Sequence, residues 1–240
     1  MLLEKELGLT EHSYYEKSIV RPTAAAALTG RVVTDVCVVG AGYSGLSAAL
    51  ELAARGYAVA VLEARQVGWG ASGRNGGQAI VGFAAETALE AQLPLADAGR
   101  AWAISVEGLH LLQERIARHA IDCDYVAGYM TLAVNARKAR RLDAWVQRVA
   151  RVFGYPLQWI GPGEIGDWIA SRRFCAGAFD AQSGHLHPLK YCLGLAAAAR
   201  AAGVRIFENS PVSHVARGEP CVLRTAQGPV RGFSLMLHGL

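Results

Sequence analysis

One stretch of about thirty residues, TDVCVVGAGYSGLSAALELAARGYAVAVLEA from Thr34, restricts the fold of this 240-residue chain more than any other part. Val36–Val39 form an apolar β-type run that meets glycine at once. Leu46, Ala49, Leu50 and Ala53 then recur at i, i+3, i+4 and i+7, one face of a helix. Gly56 is placed to end that helix, and Ala58–Glu63 read as a second buried strand. Two continuous apolar strands flanking a helix make a βαβ unit, which demands a parallel sheet covered on both faces.

The turn between the first strand and the helix is Gly40-Ala41-Gly42-Tyr43-Ser44-Gly45, a GxGxxG. The first glycine suits the tight turn, the second admits a pyrophosphate to the backbone, and the third lets helix and strand pack closely. The helix N-terminus adds free N–H groups and partial positive charge. GxGxxG alone is a weak signal, but Glu63 ends the second strand eighteen residues past Gly45, where a carboxylate meets a ribose 2′-OH and repels a 2′-phosphate. These residues leave NAD and FAD both open. The stretch VGWGASGRNGGQ, Val67 to Gln78, adds a preference, because five of its twelve residues are glycine. Such density signals unusual dihedral angles or a close backbone approach. A segment of this kind, following Glu63 directly, can run along an extended dinucleotide, with Arg74 and Asn75 supplying donors.

Taken together, these residues resemble the N-terminal region of the FAD-dependent amine and amino-acid oxidases of the D-amino-acid oxidase superfamily. Within it the likeness is to the gamma-glutamylputrescine oxidase group. It continues through SYY near the N-terminus, Cys123-Asp124, SGHLHPL from Ser183 to Leu189, and ENSPV from Glu208 to Val212. The resemblance implies pyrophosphate contacts from Gly40, Gly42, Ser44 and Gly45, with Tyr43 in the same turn, and a ribose contact from Glu63, with Ala64 and Arg65 beside it. It implies that Ser72, Arg74, Asn75, Gly76, Gly77 and Gln78 lie along the pyrophosphate and toward the isoalloxazine, and that the Val212 backbone meets adenine. The implied fold is α/β, a Rossmann-type, glutathione-reductase-like FAD domain with an inserted, β-rich substrate domain. The implied reaction oxidises a C–N bond of a small amine or amino acid, with oxygen as acceptor. Family members are considerably longer, so the expectation is an N-terminal portion whose substrate domain is incomplete. A catalytically inactive remnant and a small NAD-dependent dehydrogenase stand as the other two readings.

The expected division is an arm at 1–30, an FAD-binding domain at 31–118 and 184–240, and a partial substrate domain at 119–183. Hydrophobic residues make up 52% of the chain and charged residues 18%, a core-forming balance. Net charge is only +4, without the aromatic-basic interleaving of nucleic-acid binders, which argues against that class. No apolar run reaches transmembrane length. The five scattered cysteines form no CxxC pair, so neither zinc nor a disulfide framework is indicated and a cytoplasmic setting is expected. His185 is a candidate for approaching flavin or substrate, and His187 before Pro188 is expected to cap a helix. Asp124 and Asp180 are expected in turns, and Trp69 as packing beside the glycine loop.

Overall fold

The computed structural model describes residues 13–83, 92–216 and 218–237. The expectations for residues 1–12, 84–91 and the last three residues lie outside this range. The chain divides into two compact units: Met1–Gly76, Arg118–Cys123 and His187–Leu240 form unit 1, and Gly77–Ala117 with Asp124–Leu186 form unit 2.

Unit 1 is built on a six-stranded sheet. Its strands are β1 (Val32–Val39), β2 (Val59–Leu62), β7 (Arg205–Phe207), β8 (His214–Ala216), β9 (Cys221–Thr225) and β10 (Gly228–Leu237), in the order β7-β2-β1-β10-β9-β8. The first four in that order are mutually parallel, and β9 and β8 continue antiparallel. The expected βαβ unit is present, with helix α2 (Tyr43–Ala54) between β1 and β2. Leu46, Ala49 and Leu50 are buried, as the periodicity demands. α2 packs against α6 (Pro188–Ala201), whose Leu189, Cys192, Leu195 and Ala199 have no exposed surface. Four parallel strands with packed helices make unit 1 a mixed α/β structure.

The arm expected at 1–30 is corrected over its described part. After the single-turn helix α1 (Tyr14–Lys17) the chain runs into the core, where Leu28 is fully buried against Cys37, Leu62, Leu223 and Val230. Leu28 N donates to Ser210 Oγ at 2.9 Å, Ala25 N donates to a Glu208 carboxylate oxygen, and Val67 N donates to the other at 2.7 Å. A buried carboxylate is tolerable when donors surround it. Glu208 therefore fastens residues 25 and 67 to the end of β7.

Unit 2 holds a second sheet, ordered β3-β6-β4 with β5 also on β6. These strands are β3 (Gln78–Ala79), β4 (Val126–Ala133), β5 (Gln158–Ile160) and β6 (Ala176–His185). Helices α3 (Leu95–Arg118), α4 (Ala136–Phe153) and the short α5 (Ile165–Trp168) complete it, except that Arg118 falls in unit 1. Residues 77–117, expected with the FAD domain, group instead with 124–186. β3 pairs antiparallel with β6, and Trp102 of α3 is buried against Val149 of α4 and Tyr155. Strand β4 runs through Gly128, which has φ 100°. Ala127 pairs with Gly184 and Tyr129 with Asp180, so residues 181–183 bulge opposite Gly128 alone.

Deleting the Leu28 side chain tests whether this stretch is core. Leu28→Ala should lower the unfolding free energy by about 2–5 kcal/mol in chemical denaturation. Val20→Ala, at a side chain 96% exposed, should change it by less than about 0.5 kcal/mol. Equal, small effects would show that residues 19–28 do not belong to the folded unit.

Candidate functional site

The glycine turn sits at the C-terminal end of β1. Gly40 has φ 101°, and its N–H donates to Leu62 O at 2.8 Å, which closes the turn against β2. A β-carbon on Gly45 would lie 2.1 Å from Gly40 O, so residue 45 must be glycine for helix and strand to approach this closely. Gly42 is the N-cap position of α2 and offers no side-chain cap.

That missing cap comes from the glycine-rich segment. Ser72 Oγ accepts from Tyr43 N at 3.0 Å, and a β-carbon on Gly42 would lie 2.8 Å from the same oxygen. Gly68 N donates to Ala41 O at 3.0 Å. Segment 67–76 thus folds back over the turn. Two of its glycines serve the protein's own packing: Gly73 would place a β-carbon 2.2 Å from Gly68 O, and Gly68 one 3.0 Å from Cys192 Sγ. Gly70 and Gly76 face open space, so no crowding within the protein requires glycine there.

Glu63 lies across the turn from Ser72. One carboxylate oxygen accepts from Ala41 N at 2.8 Å and the other from Arg65 N at 2.9 Å. Ionised carboxylate has roughly four acceptor positions, so two remain for a ligand hydroxyl. Ala64 and Arg65 are exposed beside it, as is Ser44 in the first turn of α2. Arg74 and Asn75, expected as donors, also make contacts within the loop itself. Arg74 Nε donates to Trp69 O, and its guanidinium lies 4.7 Å from the centre of the Trp69 ring. Asn75 Nδ2 donates to Ala71 O and Ser72 O at 3.1 Å each, closing the 3₁₀ turn Ala71–Gly73. The expectation that Trp69 packs beside the loop holds. Tyr43 OH donates to Pro188 O at 2.9 Å, and burial pushes this phenol well above its ordinary range. Val212 is half-buried in the cluster around Leu28.

Gly77, Gln78 and His185 belong to unit 2. Gln78 and His185 are exposed cross-strand partners in β3 and β6, and Gln78 Nε2 reaches Tyr129 OH at 3.4 Å. The bulge that precedes His185 is held by Asp180, which is buried. Its carboxylate accepts from Tyr155 OH at 2.9 Å and 3.0 Å, Gln182 N at 2.9 Å, Ser183 N at 3.2 Å and Ser183 Oγ at 2.6 Å. Asp180 does serve a turn of the chain, but as the buried anchor of a strand bulge. His187 caps α6 as expected: Nδ1 accepts from Lys190 N at 3.2 Å, which leaves the Nε2 proton to donate to Ser18 Oγ at 2.9 Å. Among the described residues no cluster of three or more His, Cys, Asp or Glu is placed to hold a metal. Burial pushes the Cys37 and Cys192 thiols up to about 12.

Arg21, Glu208 and Ser210 were not singled out from the sequence, yet they hold the loop. Arg21 Nη1 donates to Val67 O at 2.9 Å, while its Nε and Nη2 clamp the Glu16 carboxylate. RPT reads locally as a breaker, and nothing in that tripeptide signals a contact 46 residues away.

The turn, the helix end and the acid form a donor set suited to the phosphates and ribose of a dinucleotide. Comparison with known proteins identifies the lineage. Residues 35–233 match the family model DAO, described as FAD dependent oxidoreductase. The chain belongs to this family, whose cofactor is FAD. The DAO-family match displaces the NAD-dependent dehydrogenase alternative. Among its relatives, the probable oxidoreductase OrdL of Haemophilus influenzae is 43% identical over 230 residues, covering 94% of this chain and 53% of that protein. Gamma-glutamylputrescine oxidoreductase of Escherichia coli is 36% identical over 234 residues, covering 96% and 55%. The crystal structure of glycine oxidase from Geobacillus kaustophilus superposes with a TM-score of 0.68 at 26% identity, over 87% of this chain and 55% of the other. This DAO-family chain spans about half the length of the curated relatives it matches. No described helix is long and apolar enough to cross a membrane.

Two tests follow from this geometry. Gly45→Ala should fold poorly or lose several kcal/mol, because backbone rather than a flexible side chain blocks the new methyl; wild-type thermal stability in this variant would disprove the close approach. The second is a pH dependence. Hydrogen bonding to Arg21 holds the Glu16 carboxyl below its ordinary value of 4.5. A folded-state pKa below the unfolded one gives stability that is present above about pH 4.5 and lost as pH falls through the lowered value. Denaturation of Glu16→Gln should therefore show a shallower loss of stability than wild type below pH 4.5 and lower stability at pH 7.

Proposed function

We propose that this chain is the N-terminal portion of an FAD-dependent oxidoreductase that oxidises a C–N bond of a small amine or amino acid, with a gamma-glutamylputrescine-like substrate and oxygen as acceptor. The observation that carries it is the glycine-rich segment folded back on the GxGxxG turn, with Ser72 Oγ 3.0 Å from Tyr43 N. An NAD-type βαβ unit needs no such second layer. The 36% identity to gamma-glutamylputrescine oxidoreductase of Escherichia coli supports the substrate class.

In this reading unit 1 is the FAD-binding domain, of the glutathione-reductase-like kind, and unit 2 carries part of the substrate domain. Gly40, Gly42 and Gly45 keep side chains away from the pyrophosphate, and the exposed N-terminus of α2 at Tyr43 and Ser44 faces its charge. Glu63 accepts from the adenosine ribose while holding Ala41 N and Arg65 N, so one carboxylate orients both ligand and turn. The Val212 backbone meets adenine. Ser72 to Gln78 line the route toward the isoalloxazine, with Arg74 and Asn75 acting mainly as braces of that route. His185, beside Gln78, is the candidate for the flavin or substrate face. Held by these residues, FAD would supply the two-electron oxidation of the substrate's CH–NH group, with oxygen as the acceptor reduced to peroxide and water releasing an aldehyde or keto product with ammonia or amine. A cytoplasmic flavoprotein is the setting this reading expects.

The test is titration of purified chain with FAD, read by flavin fluorescence and visible absorbance, beside NADH as a control. The expected outcome is saturable FAD binding that Gly42→Ala and Ser72→Ala each weaken at least tenfold, with flavin released on denaturation. Peroxide production from gamma-glutamyl-amines is assayed on the same sample. Because the chain spans about half its relatives' length, binding without turnover would select the non-catalytic remnant, and absence of FAD binding would overturn the proposal in favour of that same remnant.

A further inference from the structure

We propose that unit 1 carries a second anion site, a triphosphate-binding groove built by Arg31, Arg224 and Arg231 at the opposite end of β1 from the glycine turn. These arginines line one groove of about 530 Å³ together with Thr225, Gly228 and Pro229. Their convergence follows from strand register. Arg224 of β9 stands directly opposite Pro229 of β10, and Arg231 follows two residues later on the same face. Val32 pairs with Val230, so Arg31, one residue earlier, flanks Pro229 from the other side. Two strand spacings put the Arg31 and Arg224 backbones about 10 Å apart, and two residues of rise put Arg231 about 7 Å further along. Long guanidinium side chains from those points reach a common centre.

The charge of this groove is not balanced within unit 1. All three arginines are exposed, and none of them belongs to an ion pair among the described residues, unlike Arg21, Arg55 and Arg100. Arg205, one strand beyond β2, adds a fourth guanidinium at this end of the sheet, donating to Val33 O at 2.6 Å. Asp35, which follows Val33 on that face of β1, has one carboxylate oxygen occupied by Ala58 N at 2.7 Å. Like charges gathered on one sheet face repel, and an anion relieves that cost.

The floor of the groove is rigid. Thr225 Oγ1 donates to Gly228 O at 2.8 Å, and Gly30 N donates to Gln227 O at 3.0 Å. A β-carbon on Gly228 would lie 1.9 Å from Gly30 O, so the hairpin is pressed against the chain that enters β1. Arginines on a fixed floor lose less freedom on binding than arginines on a mobile loop. Guanidinium forks match phosphate oxygens in bidentate geometry, and three of them match a linear anion of three or more charges. Seven residues of rise along β1, about 23 Å, separate this groove from the Gly40 turn.

Inorganic tripolyphosphate is the probe. Calorimetric titration of the purified chain at low salt should show one saturable site, with affinity falling as ionic strength rises. Arg224→Ala with Arg231→Ala should weaken binding at least tenfold, and adding Arg31→Ala should abolish it. The triple arginine-to-lysine variant keeps the charge but not the forks and should fall between; melting temperatures of all variants should stay at the wild-type value, since the side chains are exposed. FAD should leave the affinity unchanged. The proposal is overturned if wild type does not bind, if the triple alanine variant binds as wild type does, or if FAD displaces the triphosphate.

Discussion

The approach of α2 to β1 at Gly45 sets the rest of unit 1. With Gly40 O occupying the place of a side chain, the helix begins directly over the strand end, and its first N–H groups emerge at the turn. Everything around that point completes it from a distance in sequence. Ser72 supplies the cap that Gly42 cannot, Glu63 holds Ala41, and Gly68 N ties the following segment to Ala41 O. These three contacts arrive from residues 63 to 72, so the glycine-rich segment is a second layer of the βα turn. The two layers are tied by one backbone bond, from Gly68 N, and by two short side chains, Ser72 and Glu63, that accept from backbone N–H groups.

Both units also rely on a buried carboxylate surrounded by donors. Glu208 holds Ala25 N and Val67 N, which locks the incoming chain and the start of the glycine segment to the same point. Asp180 gathers Tyr155, Ser183 and two backbone N–H groups, which fixes the bulge before Gly184 and His185. A buried charge is costly unless its lone pairs are satisfied, so such sites hold one geometry rather than several. Tyr155 is pushed above its ordinary range, first by burial and then by its bond to Asp180, and so stays a donor across the neutral range. Each carboxylate sits where the chain must depart from regular structure, and supplies acceptors that neither helix nor strand supplies there.

Those long-range ties explain which parts of the molecule were legible in the sequence. The βαβ unit was, because its signals are local: apolar runs, a period of 3.6, and glycine at fixed spacing. The helix cap at His187 was legible for the same reason, since Pro188 follows it and Lys190 N lies one turn on. The role of Arg21 was hidden, because its partner Val67 O is a backbone atom that any residue at 67 would offer. Residues 13–30 looked like an arm because the Arg21-Pro22-Thr23 breaker and the Leu28-Thr29-Gly30 turn leave no helix or strand period, while one side chain, Leu28, ties them to the core. Residues 77–117 were assigned to the wrong unit because helical periodicity names a face but not the sheet it covers. The bracing role of Arg74 Nε and Asn75 Nδ2 was hidden as well, because their acceptors, Trp69 O, Ala71 O and Ser72 O, are backbone atoms that any residue would offer.

The polarity of β1 organises the electrostatics of unit 1. In a parallel strand the C-terminal end opens toward the following helix, and there positive potential comes from peptide N–H groups without a formal charge. The N-terminal end has no such dipole to draw on, and the arginines of β9, β10 and the entering chain supply formal charge instead. These two kinds of positive field differ in reach. Backbone N–H groups act within one or two ångströms of contact and discriminate by shape, whereas exposed guanidiniums act across a Debye length of about 10 Å and are weakened by salt. With a net charge of only +4 over 240 residues, the basic excess is small, so the gathering of these arginines follows from strand register rather than from composition. A change of ionic strength should therefore act more strongly on the exposed arginine end than on the backbone donors of the glycine turn.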